Sequence, residues 1–356
     1  MRVVHVTPGH AHTLRLSARE EPRCQPGTVT IRVLEVGLDG TDRDIVEGAY
    51  GTPPRGSDTL ILGHECLGIV ETPGAGVKRL KPGDLVVPTV RRPDDCSNCR
   101  AGDYDHCSSA DSLERGIRGA DGFLQEYVLE APEHLIRIPH HARRYGILTE
   151  PMAIVEKAIS RAYTANSGFT WKPQRALITG DGTIGILGAH ALRARGLDVT
   201  ITGLGADTRK ESILREAGIT RYDAKRYPLS WIAHKHGRPD LILEATGSSA
   251  VAFEAMETIA ANGVVVLTSI TPRNARIEVG IDQLNNYLVL GNRTIIGSVN
   301  ASRADFESAI ATLNELEERF AVSKIITGRY TLEHVKDAFA AMPENIKTVV
   351  ILGEER

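Results

Sequence analysis

Apolar positions in roughly the first 150 residues come in short runs broken by Gly and Pro: "TVTIRVLEVG", "LGIVE", "GDLVVPTV", "LQEYVLE" and "LIRIP". Such runs, closely bounded by turn signals, predict an antiparallel, barrel-like β domain. Beyond "KPQ" the period changes. Ala176 to Thr179 predict a strand and Ile184 to Arg195 a helix that stops at Gly196. "DVTIT", "TRKESILREAG", "PDLILEATG", "SAVAFEAMETIAANG" and "GVVVLTSI" continue the alternation of strand and helix. That alternation predicts a doubly wound parallel α/β sheet. The last stretch, from "ADFESAIATLNELEERF" to "KTVVILG", returns to mixed helix and strand. The expected organisation is one domain from residues 1-150 and 301-356, and a second from 151-300.

At 356 residues the chain has room for two such cores. A net charge of −3 without long runs of one sign speaks against nucleic acid or an anionic membrane as the main partner. The N-terminal "MRVVHVTPGH" lacks a signal-peptide core, and no stretch approaches the ~18 apolar residues of a membrane span. A cytoplasmic location is expected. Of five cysteines, Cys96, Cys99 and Cys107 fall in one short window, which in a reducing compartment points to metal rather than disulfides. Cys24 and Cys66 read as ordinary core or surface residues. His106, His140, His141, His234 and His236 read as loop or surface positions.

"GDGTIG" places Gly180, Gly182 and Gly185 in G-x-G-x-x-G spacing between a predicted strand and a predicted helix. There the first glycine makes the tight turn, the second admits a pyrophosphate and the third lets the helix pack closely. Thr183 and Ile184 open the helix, whose free N–H groups suit phosphate. The acid expected ~20 residues on, for the adenosine ribose, is missing from the tip of the second strand at Gly203-Leu204. Arg209 and Lys210 are near enough in sequence to meet a 2′-phosphate, or to form a solvated helix face. Without the acid a 2′-phosphate is not repelled, so NAD and NADP both stay open with a lean to NADP.

Asp39 stands where the strand "TIRVLEVGL", read as half-buried, gives way to a Gly-Thr turn. It is either a turn residue or a metal ligand. His64 and Glu65 end another strand in "LGHEC", and Glu150 precedes "PMAIVEKAI". A catalytic zinc takes His nitrogen and carboxylate oxygen and keeps one position open. Taken singly, each of these residues also suits a turn or a helix N-terminus.

Taken together, "GHE", the cysteine window and the glycine loop resemble the zinc-dependent medium-chain dehydrogenase/reductase superfamily. "GLDGTD", "LGHECLGIV", "VVPTVRRP", "LERGIRGADGFLQEY", "TEPMAIVEKAI", "EATG" and "IIGSVNASRADFE" resemble its archaeal, haloarchaeal-type glucose dehydrogenases. The resemblance implies a GroES-like catalytic domain and a Rossmann domain. It also implies a catalytic zinc on Asp39 and His64, with Glu65 and Glu150 as further or alternating ligands. Most relatives carry cysteine where Asp39 stands; the haloarchaeal enzymes carry aspartate. Thr41 aligns with the hydroxyl that passes the substrate proton outward. Glu114, Glu150 and Asn300 align with groups that hold sugar hydroxyls, and Thr89 stands where many relatives carry an asparagine that also touches the sugar. Thr246 and Ser298, with Asn300 again, fall in stretches that border the dinucleotide. The implied reaction is zinc-dependent oxidation of an aldose at C1 by NAD or NADP. A cyclitol or other polyol is the alternative substrate, and a non-catalytic nucleotide-binding regulator the alternative class. "LVLGNRTIIGSVN" resembles a dimer-contact region, so a homo-oligomer, dimer or tetramer, is expected.

The superfamily's lobe zinc uses C-x2-C-x2-C-x7-C. Here Cys96, Cys99 and Cys107 match the last three positions and the first falls on Pro93, which cannot ligate. Asp94 or Asp95 would then supply the fourth ligand, and occupancy of this structural site stays open.

Overall fold

The computed structural model describes residues 1–271 and 276–353, and these form two compact units. The first comprises Met1–Ala153, Asn300–Asn314 and the chain from Val322 onward; the second comprises Ile154–Val299 and Glu315–Ala321.

The first unit is built on the strand Val29–Leu38, which is buried at every position except Arg32. Its β-branched, near-continuous apolar sequence suits a strand covered on both faces rather than the half-buried strand expected. Along its length it pairs antiparallel with Glu65–Pro73. On the other edge it pairs with Tyr127–Glu130 near its start and with Lys347–Ile351 near its end. Leu85–Pro88, Leu135–Ile138 and Ile326–Thr331 complete a seven-stranded sheet. Glu35, carried into this interior, is held by Arg143 at 2.8 Å and Arg329 at 2.7 Å. A buried carboxylate requires such partners.

The second unit is a six-stranded parallel sheet. Its order runs Thr220–Asp223, Asp198–Gly203, Arg175–Thr179, Leu241–Glu244, Val264–Leu267 and Thr294–Gly297. The earliest strand in sequence, Arg175–Thr179, is therefore central. Strand order reverses beside it, and the carboxyl ends at such a reversal are where open α/β sheets bind ligands. Leu177, Ile242 and Val265 from adjacent strands share a core with Leu229, Ile232, Ala255 and Ile259.

Candidate active site

Asp39 does not begin a loose turn. It is the N-cap of the helix Gly40–Val46, with its Oδ1 accepting from Thr41 N at 2.8 Å and Asp42 N at 3.1 Å. Asp42 returns the bond, its Oδ2 accepting from Asp39 N at 3.1 Å. The turn reading fails because "D-x-x-D" closes a reciprocal capping box, which starts a helix. With Oδ1 occupied by the cap, Asp39 Oδ2 faces His64 Nε2 at 3.6 Å.

Sequence reasoning overlooked Asp42, although the capping spacing marked it. Its side chain is fully buried, Oδ1 accepts from Gly63 N at 3.2 Å and Oδ2 lies 3.7 Å from His64 Nδ1. At that distance Asp42 acts on the ring by charge rather than by a hydrogen bond, and Nε2, on the Asp39 side, is the atom turned toward the other carboxylates. Ligand atoms of His64, Glu65 and Glu150 lie within 4.8 Å of one another, as do those of Asp39, Asp42 and His64.

The electrostatics are those of a cation site. Burial works against the charge of Asp39, but His64 and then Lys347 hold the carboxyl well below its usual range. Burial opposes protonation of His64 as well, and Asp39 and Asp42 overcome it to raise the imidazole well above its ordinary value. Burial raises Glu65, with Lys347 opposing. Glu150 is pushed up to about 8 by burial first, with the pull of His64 outweighed by burial and the repulsion of Glu65 and Asp39. Lys347, fully buried, pairs with Glu65 Oε2 and donates to Leu38 O at 3.0 Å. Nothing in "IKTVVILG" distinguishes this lysine from a solvated strand start. His64 and Glu150 hold protons that a cation would displace, and the cluster's nitrogen and oxygen donors are those a divalent zinc takes. The residues fit the metal.

The expected sugar-holding residues occupy a polar region of the same unit. Glu114 Oε1 accepts from Arg91 Nη2 at 2.9 Å and from Asn300 Nδ2 at 2.8 Å, while Arg118 Nη2 stands 3.5 Å from Oε2. Asn300 adopts a left-handed φ of 59°, where asparagine is among the better-tolerated residues. Thr89 has no exposed surface, and its N–H donates to His134 O at 2.9 Å.

Cys96, Cys99, Cys107 and Asp94 bring their ligand atoms within 4.8 Å of one another; exposed Asp95 is not in the group. Cys107 Sγ donates to Asp94 Oδ2 at 3.3 Å, and Cys96 lies 3.9 Å from Cys107. The backbone N–H of Cys99 lowers the Cys96 thiol to about 7, whereas burial raises Cys99 to about 12. Cys66 is buried in its strand with its thiol pushed up by desolvation.

In the second unit Gly180 has φ 96°, and a Cβ there would lie 2.6 Å from Ala245 O. A Cβ on Gly185 would sit 1.8 Å from Gly180 O, so helix and loop meet only because that side chain is absent. Gly182 is the N-cap of Thr183–Ala194, and a Cβ there would meet nothing within 4 Å, leaving its backbone open to a phosphate. Thr183 and Ile184 form the first helical turn. Thr246 N donates to Glu244 Oε1 at 2.7 Å, and the buried Ser298 hydroxyl has no hydrogen-bond partner among the described residues. Asp181, inside the glycine loop, carries a carboxylate that reaches the tip of the strand Asp198–Gly203. A carboxylate from another segment therefore stands at a tip whose own residues carry none.

A β-rich unit with a His and carboxylate cation site, together with a parallel-sheet unit carrying a glycine loop, defines a zinc-dependent, dinucleotide-linked dehydrogenase of the medium-chain type. Residues 25–140 match the alcohol dehydrogenase GroES-like domain and residues 143–352 the glucose dehydrogenase C-terminus. The glucose 1-dehydrogenase of Methanocella arvoryzae is 40% identical over 99% of this chain and 100% of its own. That of Halobacterium salinarum is 36% identical over 95% and 96%. Haloferax mediterranei glucose dehydrogenase in complex with NADP, Zn and gluconolactone superposes with a TM-score of 0.93 at 31% identity, covering 99% of this chain and 100% of that one. The chain belongs to the glucose dehydrogenase family. Among the described residues no helix is long and apolar enough to cross a membrane.

Proposed function

We propose that the protein oxidises the C1 hydroxyl of an aldose such as glucose to the lactone, with zinc as resident metal and NAD or NADP as acceptor. The observation that carries this reading is the convergence of Asp39, His64, Glu65 and Glu150 in a chain similar along its length to glucose 1-dehydrogenases. The first unit is read as catalytic and the second as dinucleotide-binding.

When bound, zinc supplies Lewis acidity to the substrate hydroxyl and the dinucleotide supplies the hydride acceptor. Asp39 Oδ2, His64 Nε2 and Glu150 are assigned to hold the metal. Glu65, drawn toward Lys347, is assigned as the alternating ligand. Asp42 fixes the imidazole. Thr41 Oγ1, 3.3 Å from Asp39 Oδ2, is assigned to take the C1 hydroxyl proton as its own proton turns from Asp39 and leaves toward the ribose hydroxyls and solvent. Glu114, Asn300 and Thr89 are assigned to pair with sugar hydroxyls. Glu114 and Asn300 already bond to each other, so a substrate lacking those hydroxyls forgoes added hydrogen bonds to a charged group, worth roughly 1.5–3 kcal/mol each. Gly180, Gly182, Thr183, Ile184 and Gly185 are assigned to the pyrophosphate, and Thr246 and Ser298, with Asn300, to the rest of the dinucleotide. Cys96, Cys99, Cys107 and Asp94 are read as a second, structural zinc site. We further read the protein as a cytoplasmic homo-oligomer, a reading supported by exposed Ile281, Val289 and Leu290 on one helix.

The test is metal analysis of the purified protein beside steady-state rates on aldoses, cyclitols and simple alcohols with each dinucleotide. Zinc with preferential aldose turnover is expected. Faster turnover of ethanol or hexanol than of every sugar and cyclitol would overturn the substrate assignment, and retained turnover in zinc-free protein would overturn the metal's role.

A further inference from the structure

The strand Asp198–Gly203 ends on a glycine, yet a carboxylate stands at its tip. A Cβ built on Gly203 would lie 1.9 Å from Asp181 Oδ2, so the acid occupies the volume that a side chain at 203 would take. Asp181 is buried, with three donors on its oxygens. Lys210 Nζ reaches Oδ1 at 3.1 Å, and Arg221 Nε and Nη2 reach Oδ2 at 2.9 and 2.6 Å. Arg221 Nη1 also stands 3.6 Å from Glu211 Oε1, and Lys210 Nζ 3.9 Å from Asp207 Oδ2. Exposed Arg209 is the neighbouring cation on the same helix.

In a doubly wound sheet this tip is where an acid meets the adenosine ribose hydroxyls, or where cations meet a 2′-phosphate. We infer that Asp181 is the specificity-determining residue for the dinucleotide, and that it favours NAD over NADP. Two effects act together. The carboxylate keeps a lone pair on Oδ1 for a ribose hydroxyl. It also neutralises Lys210 and Arg221, leaving exposed Arg209 as the remaining cation there, and places a like charge beside a 2′-phosphate. The inference rests on the dinucleotide-linked dehydrogenase reading, and it selects one of the two acceptors that reading leaves open.

The test is direct binding, without turnover. Dissociation constants for NADH and NADPH, and for the fragments 5′-ADP and 2′-phosphorylated ADP, are measured by calorimetry on the zinc-loaded protein and on D181N. Wild type is expected to bind NADH and 5′-ADP more tightly than their 2′-phosphorylated counterparts. The isosteric D181N removes one charge and should shift the ratio toward the phosphorylated ligand by about tenfold or more. The double variant D181A/G203D returns an acid to the same place from the strand itself and should restore the preference for NADH, which a merely structural role for Asp181 would not produce. A wild type that prefers NADPH, or a D181N variant whose two affinities fall in step, overturns the inference while leaving the enzyme reading intact. Failure of wild type to bind either dinucleotide overturns both.

Discussion

Lys347 is the lysine the protein places against the carboxylates of the proposed zinc site, beside the protonated His64, and K347M isolates its contribution. Methionine has a similar length and no charge. In the zinc-free protein the change leaves Glu65 buried near Asp39 and Glu150 with its counter-ion gone, and frees the Leu38 carbonyl from its 3.0 Å bond. There is little room for relaxation. A Cβ on Gly37 would lie 2.1 Å from Glu65 Oε2 and 2.7 Å from Lys347 Cε, which shows how tightly backbone and ion pair pack. Removing one partner of a buried pair costs about 3–5 kcal/mol. For a unit of this size that is roughly 6–20 °C in Tm. Zinc should return most of the loss, because the metal replaces the missing positive charge. The assay is thermal unfolding of wild type and K347M, each with zinc and after chelation, alongside competitive zinc titration. A large destabilisation of the chelated variant, a small one of the loaded variant and tighter zinc binding by K347M are expected. Equal destabilisation in both states, with unchanged zinc affinity, would refute the charge argument and leave Lys347 as a packing residue.

Three other outcomes follow from the same geometry. D39A should lose zinc and turnover while keeping dinucleotide affinity; because it also removes an N-cap, about 1 kcal/mol of stability should go with it, and a fully active D39A would return the residue to a purely capping role. The chelated protein should lose stability as pH rises from about 6.5 to 8, since the raised Glu150 and His64 bind protons more tightly folded than unfolded. Below that window the lowered His5, His134 and His190 act in the opposite sense; melting temperatures of chelated protein that climb from about pH 6.5 to 8 would contradict this. C107S should reduce zinc from two ions per chain to one and leave the aldose KM within about twofold, measured by metal analysis and kinetics, because its ligand group is separate from His64.

The parallel sheet was legible because helix and strand periods differ and because Gly180, Gly182 and Gly185 punctuate one crossover. His64 and Glu150 were legible as candidates because their neighbours match family motifs. What the sequence concealed was side-chain reach. Asp181 and Gly203 are separated by a whole helix, and a search for an acid at the strand tip has no reason to look inside the glycine loop. Lys347 is hidden for a related reason: a lysine before "TVVI" gives no sign that it points into a carboxylate cluster some 280 residues earlier in the chain. Asp42 was within reach of sequence reasoning, since its three-residue offset from Asp39 spells a capping box.

Asp42 also bears on how such a site can change over time. Its two oxygens bind Asp39 N and Gly63 N, so one carboxylate ties down the backbone at the first proposed ligand and the residue before the second. The position of residue 39 is thus set largely by main-chain bonds that do not depend on the side chain there. A substitution at 39 can exchange one ligating atom for another without relocating the ligand, leaving lineages free to try sulfur or oxygen while the geometry is kept. At position 42 no such freedom exists, because a change there unpins both ligands at once. The proposed ligand is the position whose side chain can be exchanged, and Asp42, which is not assigned to the metal, is the one that holds the backbone.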